Sequence, residues 1–550
     1  MPVSRLRRVL TYVYVAALAA AVAAVIAAPL LEQTEVSSTA AAIPNLLILL
    51  ITVLMLAGTL LFLVVAPLRV GTRAAAAAAI LLPAVGLAAA TERVDWSGDM
   101  WPTFQTDAEA VADYGRPAAD ADAGDATQAP LPTPSRIDAV EYRGPARDGR
   151  VDPAALPVDF PEGEPLAELW ERPMGPGYAG ISVLGDFVLT LDQAAGDEVV
   201  LCLDASDGSV RWADAYPARF SEAMGGDGPR STPTISRGRV FSYGATGILT
   251  ASDLRTGTRL WQTDTLGDLG LPVTYWGMCS SPLVIGAPWR EREVVAVTVG
   301  GPNPQKANGL ALYDAATGEL VAKSDRRTEP FSPGDFPDDG EQESNAAGYS
   351  SPMLATLGGV DLILNYDGFG LRGHALDDAR ELFFFEATNG PRVNVGQPIV
   401  IGDDRVFISS SYDTGASLLR IVPGDPAGDA WTVEPLWTSQ KLRLKFASAV
   451  ERDGYLYGLD EGILTCLDAA DGRRRWKRGR YQHGQLVLAG QWLVLQAEDG
   501  RLVAVRAVPD RFEEAFSQEV LGASRNWNPP TIAGGAVYMR NHQRLVKLGR

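Results

Sequence analysis

The chain has 550 residues, with 48 lysines and arginines against 67 aspartates and glutamates, a formal charge of -19. An acidic surface of this kind cannot neutralise phosphates, which argues against nucleic acid as a partner. Three cysteines and three histidines supply neither a disulfide framework nor a multi-histidine metal site.

The N-terminal 90 residues are strongly apolar. Residues 9–31 carry no charge before Glu32, residues 43–68 are rich in Leu, Ile and Val, and residues 74–90 are Ala-rich. The first two reach the roughly 20 residues that cross a bilayer, so residues 1–90 read as a membrane anchor of about three transmembrane helices. Arg5, Arg7 and Arg8 precede the first stretch, and Arg69 and Arg73 follow the second, whereas the loop from Glu32 to Ser38 has no basic residue. That asymmetry keeps the N-terminus cytoplasmic and sends everything after Thr91 outside. Cleavage of the first stretch as a signal peptide near Ala27 gives the same final topology. The expected location is a bacterial inner membrane with the large domain in the periplasm. Residues 91–138 read as a flexible acidic Ala/Asp/Pro linker, its aromatic tract from Trp96 to Phe104 suited to a membrane interface.

From residue 139 onward one phrase returns. An apolar strand ends in Asp, Gly follows four residues later, and Trp four after that: Asp204, Gly208 and Trp212; Asp253, Gly257 and Trp261; Asp468, Gly472 and Trp476. Asp314 and Gly318 form a copy without the Trp. Asp and Gly make a hairpin, with Gly supplying a positive φ, and the Trp lands on an outer strand where it packs against the next unit. Cys202 and Cys466 occupy one register of two copies and read as core thiols. Eight openings, each a small-residue or Pro motif leading into an apolar run, begin near Tyr178, Ser231, Ser280, Ser350, Gln397, Ala447, Gln485 and Pro529. Their spacing of roughly 50 residues is that of four-stranded propeller blades. Residues 139–550 are therefore expected to be all-β, an eight-bladed β-propeller. The last unit is one strand short, and Leu166–Arg172 would complete it and close the ring.

The phrase resembles the repeat of PQQ-type β-propellers, a superfamily that spans quinoprotein alcohol dehydrogenases and noncatalytic BamB-like assembly factors. The stretches 142–149, 345–353 and 453–460 are similar to those of PQQ-binding-like repeat proteins. The resemblance implies the quinoprotein dehydrogenase-like ring. A dehydrogenase of that kind would add PQQ, calcium or a lanthanide, an Asp base and a pair of adjacent cysteines. Here Cys279 is followed by Ser280 and Ser281, and no Cys-x-x-Cys-His haem site exists. No catalytic residue and no metal ligand can be carried over; PQQ and calcium belong only to the dehydrogenase alternative.

Loops that lead into inner strands gather at the mouth of a propeller channel. They supply the candidate ligand residues Tyr178, Arg230, Trp276, Tyr349, Asn394, Lys445, His483 and Trp527, with Tyr275, Met278 and Asn528 beside them. A basic cluster (Arg473, Arg474, Arg475, Lys477, Arg478, Arg480, preceded by Lys441, Arg443 and Lys445) reads as a solvated, edge-protected outer strand, the alternative being a docking patch for an acidic partner or anionic lipid headgroups. The acidic loop from Ser332 to Glu343 reads as a solvated insertion, with calcium the alternative. The expected function is a membrane-anchored periplasmic scaffold that binds a protein partner or a small ligand at its mouth. The alternative is a PQQ-dependent, membrane-tethered dehydrogenase.

Overall fold

The computed structural model describes residues 130–550 apart from 158, 161–163, 223, 302–308, 325–344, 425–430 and 523–524. Before them it describes residues 59, 69–73, 77–78 and 81 and the backbone of 93–96 and 102–105. The chain divides into two units, 1–108 and 109–550.

In the first unit, Arg93–Trp96 pairs antiparallel with Pro102–Gln105. The stretches 9–31, 43–68 and 74–90 lie largely outside the described residues, and among those described no helix is long and apolar enough to cross a membrane. The tract expected to be a linker holds structure at both ends. Besides the strand pair, residues 130–138 lie along the propeller: Pro132 rests against Gly185, Leu131 against Gly238, and Gly534 N donates to Ile137 O. The Pro-rich composition there hides this, because Leu131 and Ile137 are isolated apolar residues that gain burial only from a surface built far downstream.

The second unit contains eight antiparallel blades. Their inner strands are Ser182–Leu184, Thr234–Ser236, Leu283–Ile285, Met353–Leu357, Ile399–Ile401, Val450–Arg452, Gln485–Ala489 and Thr531–Ala533. Each opens where the sequence motif places it. Second and third strands are buried on both faces, as in Val294–Gly300 and Gly309–Asp314, and so read as continuous apolar runs. Outer strands such as Val210–Pro217 bury only scattered positions. Cores lie between blades: Phe241, Leu249 and Ala251 of the second pack with Val295, Val297 and Ala311 of the third. The ring closes as expected. Ala167–Pro173 pairs antiparallel with Arg544–Gly549 and is the outer strand of the eighth blade.

The repeated phrase acts as a staple. Gly208, Gly257, Gly318 and Gly472 all have positive φ, and each donates its N–H to the carbonyl of the preceding Asp. The Asp carboxylate accepts backbone N–H groups across the turn, as Asp253 does from Arg255 and Thr256 at 2.9 Å. Trp170, Trp212, Trp261 and Trp437 each lie over the glycine of the following blade, at Gly208, Gly257, Gly318 and Gly472. Their indole N–H groups donate to Ala205, Leu254, Ala315 and Ala469 O at 2.9–3.1 Å. A side chain on that glycine would occupy the space of the ring.

The centre is closed by two devices. Thr232, Ser281, Ser351, Gln397 and Ser448 each sit two residues ahead of an inner strand, and they form a belt. Thr232 N donates to Ser281 Oγ and Ser281 N to Ser351 Oγ, both at 2.9 Å. Ser351 N donates to Gln397 Oε1 at 3.2 Å and Gln397 N to Ser448 Oγ at 3.0 Å. Proline follows the first four of them, leaving no N–H to satisfy at the next position. Residues 137–151 fill the channel from the opposite end. Ala139 bridges Val183, Ile235 N donates to Val140 O, and Arg150–Val151 runs parallel to Leu488 and Ala489. Arg147, fully buried, donates to Ser281 O at 2.9 Å, Pro352 O at 3.0 Å and Pro282 O, and pairs with Glu141 at 2.9 Å. Arg143 donates to Leu486 O at 2.7 Å and Ala449 O at 3.0 Å. Two guanidinium groups thus reach the inner sides of five of the eight blades when Thr234 Oγ1, 3.4 Å from Arg147, is included.

Two outcomes are expected. Gly257→Ala puts a methyl 2.5 Å from the Trp212 indole at φ +69 and should cost about 2–4 kcal/mol in urea unfolding. Gly270→Ala, with φ +65 but open space around it, should cost only about 1 kcal/mol; equal losses would refute the staple. Arg147→Met leaves Ser281 O, Pro352 O and Glu141 without their donor and should cost about 3–5 kcal/mol, a loss below about 1 kcal/mol counting against the plug.

Candidate functional site

All eight candidate residues lie in the loops just ahead of the inner strands, one per blade, in a layer above the belt. Five join through ring contacts. Arg230 lies over the Tyr178 ring at 5.4 Å and the Phe220 ring at 4.6 Å. Tyr178 stacks on Trp527 at 5.2 Å between centroids with the planes 28° apart. Trp527 meets Phe446 at 4.8 Å, and Phe446 meets His483 at 5.4 Å and the Lys445 ammonium at 5.3 Å. Trp276 and Tyr349 form a second group: their rings are 5.9 Å apart, and Trp276 N donates to Tyr349 Oη at 3.3 Å. Gly225 bridges the groups, lying against the Trp276 ring while its carbonyl accepts from Arg230 at 3.1 Å. Asn394 stands apart in role. Fully buried, it donates to Asp367 O and Ala387 O, both at 2.8 Å, and so builds the layer from beneath.

Sequence reasoning misses several members. Phe220 and Phe446 are the rings that make the layer continuous, and Phe446 directly follows the candidate Lys445. Arg525 donates to Tyr178 Oη at 3.2 Å and lies 5.6 Å over Trp527. Glu498, from a hairpin at the same end of the seventh blade, accepts from Trp527 Nε1 at 3.0 Å and His483 N at 2.9 Å. Glu498 has no local signal, since Trp527 reaches it from the next blade and His483 from the loop ahead of its own inner strand.

Two buried carboxylates tie the first blade to its neighbours under this layer. Asp192 accepts from Gly175 N at 2.8 Å and Gln193 N at 2.9 Å, with Arg540 of the eighth blade 3.7 Å away. Burial pushes its pKa up to about 6 despite Arg540. Glu198 accepts from Ala245 N of the second blade at 2.8 Å and from Tyr216 Oη at 3.1 Å. Burial raises it to about 7, against those hydrogen bonds and the charge of Arg230. Burial likewise pushes the Cys279 thiol up to about 12 and His374 down to about 3, helped there by Arg372.

The layer does not fit PQQ and calcium. Among the described residues no three His, Cys, Asp or Glu side chains gather as a metal site. The carboxylates are engaged: Glu198 and Glu498 as above, Asp367 by Phe369 N, Gly370 N and Arg372. The rings of Tyr178 and Trp527 stack on each other. Cys279 is a lone thiol held protonated. The channel below holds a cavity of about 20 Å³ beside Glu141, Arg143 and Thr232, space for a single water molecule.

The other two sequence features resolve differently. In the basic cluster, Lys477 and Arg443 close on the buried Asp460 at 2.7 and 2.9 Å, and Arg475 faces Asp510 at 3.6 Å. The acidic loop from Ser332 to Glu343 lies outside the described residues.

These features define a class: an eight-bladed β-propeller whose channel is filled from one end and whose opposite mouth is lined by aromatic and basic residues. Residues 164–332 match the family described as outer membrane protein assembly factor BamB. No curated protein sequence matches the chain. Among solved structures, BamB from Moraxella catarrhalis is 14% identical, with 70% of this chain and 100% of that one covered and a TM-score of 0.46. A europium-containing methanol dehydrogenase is 14% identical over 74% of this chain and 90% of its own, at 0.49. The computationally designed Ika8 protein is 12% identical over 70% and 99%, at 0.43. A propeller ring by itself assigns no activity, because function resides in the groups mounted on it.

The carboxylates give a pH prediction. A Glu198 pKa raised from 4.5 to about 7 stabilises the fold below the unfolded value and loses that contribution as pH rises toward 7. Wild type should therefore melt lower at neutral pH than near pH ~5, and Glu198→Gln should flatten that slope. A steeper slope in the variant would contradict the assignment.

Proposed function

We propose that the chain is a noncatalytic binding scaffold, tethered through its N-terminal segment to a bacterial inner membrane and presenting the propeller mouth to a periplasmic partner. The observation that carries this reading is the mouth layer itself. Its rings stack on one another, its carboxylates accept from backbone and ring N–H groups, and among the described residues no three His, Cys, Asp or Glu side chains gather as a metal site. What it offers outward is aromatic surface, the material of binding hot spots. Residues 130–138 approach along the hairpins at the other end of the blades, through Gly185 and Gly238. That approach keeps them clear of the mouth. The apolar stretches 9–31 and 43–68 and the basic residues around them support the tether and its orientation.

The test places a photo-crosslinking residue at Tyr275 in the mouth and, in parallel, at Leu260 on an outer strand, both exposed. A discrete adduct in cells from Tyr275 and none from Leu260 supports the scaffold. Titration with PQQ and calcium should leave the absorbance of the intact protein unchanged; saturable cofactor binding, or adducts equal at both positions, would overturn it.

A further inference from the structure

Part of the mouth layer is not buried by its own packing. The connector between the first and second blades exposes Met224 at 37%, and the connector between the second and third exposes Val273 at 37% and Tyr275 at 60%. Pro272, beside Val273 in the chain, is exposed as well. The two connectors are one surface: Gly225 lies against the Trp276 ring and Gly277 against Phe220. Beneath the exposed groups the packing is fixed. Tyr275 meets Trp276 edge-on at 4.8 Å, Trp276 meets Tyr349, Met278 N donates to Ala245 O at 2.8 Å, and Asn345 Nδ2 holds Pro272 O at 2.9 Å. An apolar surface held rigid in this way loses little conformational freedom on binding.

Its charge is one-sided. The same two connectors carry Glu222, Asp227, Asp264 and Asp268. Asp264 and Asp268 are exposed around the short helix Thr265–Leu269. Glu222 and Asp227 accept turn hydrogen bonds, from Met224 N and Ser221 Oγ at 2.9 Å each, and remain in reach of solvent. Arg219, 3.6 Å from Asp227, is the cation at that edge. Arg230 points inward, donating to the carbonyls of Gly225, Gly226 and Gly228. The two connectors thus carry exposed apolar and aromatic groups together with four carboxylates.

We infer that this face, formed by Met224, Pro272, Val273 and Tyr275 together with Glu222, Asp227, Asp264 and Asp268, docks a basic protein segment in which lysine or arginine flanks leucine or an aromatic residue. The inference rests on the scaffold reading and specifies its partner. Apolar groups of the segment cover Tyr275 and Val273, while its cations meet the carboxylates, which sets orientation and speeds encounter more than it adds affinity.

The experiment uses the intact chain and a short fluorescein-labelled peptide alternating lysine with leucine and tryptophan, read by anisotropy. The expected result is saturable binding, weakened about ten-fold by Tyr275→Ala and several-fold by Asp268→Asn or by raised salt. A matched peptide with glutamate for lysine should not bind. Tyr275 is exposed, so an unchanged melting temperature in the variant separates lost docking from lost folding. No saturable binding, equal binding of the glutamate peptide, or an unaffected Tyr275→Ala variant would each overturn the inference. So would self-association that Tyr275→Ala abolishes, since the face would then serve a second copy of the chain. A crosslink from Tyr275 in cells combined with failure of the peptide would sink this inference and leave the scaffold standing.

Discussion

Inner strands around one axis present backbone edges that no neighbouring blade can pair, and the rest of the molecule answers that constraint. An unpaired edge in a buried channel costs about as much as an unmade hydrogen bond at every free group. The belt takes N–H groups with hydroxyls and a Gln amide from the next blade, and prolines remove further donors. Carbonyls are met by Arg143 and Arg147, whose forked donors reach several acceptors at once in a way that lysine's compact ammonium does not. Once those edges are satisfied from one end, the channel is filled.

This ordering shows which parts of the structure the sequence announces. The staples are local, since Asp, Gly and Trp lie close together in the chain and their hairpin chemistry does not depend on the rest of the ring. Together with the strand openings they make the eight blades and the closing strand countable. Arg147 is different. Its acceptors lie 134 and 205 residues away, and nothing in Gly-Pro-Ala-Arg marks it as a channel plug until the ring exists. The mouth is legible as a set of loops, because openings can be found from small residues and proline. Which rings touch is not: Phe446 neighbours a candidate in the chain, yet Glu498 comes from a different hairpin. Within the basic cluster, the pairing of Lys477 and Arg443 with Asp460 is likewise not local, because Asp460 sits on the preceding hairpin.

The same economy bears on activity. Quinoprotein chemistry needs an open funnel and uncommitted carboxylates, and here the rings and acids of the mouth are already partners of one another. A binding surface has the opposite requirement. It gains from side chains fixed before the partner arrives, and the contacts of Trp276 and Tyr349 under an exposed Tyr275 supply that.

Closing the eighth blade with strands from both ends of the domain also imposes an order on synthesis. Ala167–Pro173 leaves the ribosome early, while its partner Arg544–Gly549 is translated long afterwards, so an edge strand waits through production of the whole ring. Trp170 gives that waiting strand somewhere to rest. Its acceptor at Ala205 lies only 35 residues further on, with Gly208 just beyond it, and both emerge long before the last blade exists. The nascent chain can therefore hold its first strand against the first finished blade, in register for a partner that has yet to emerge.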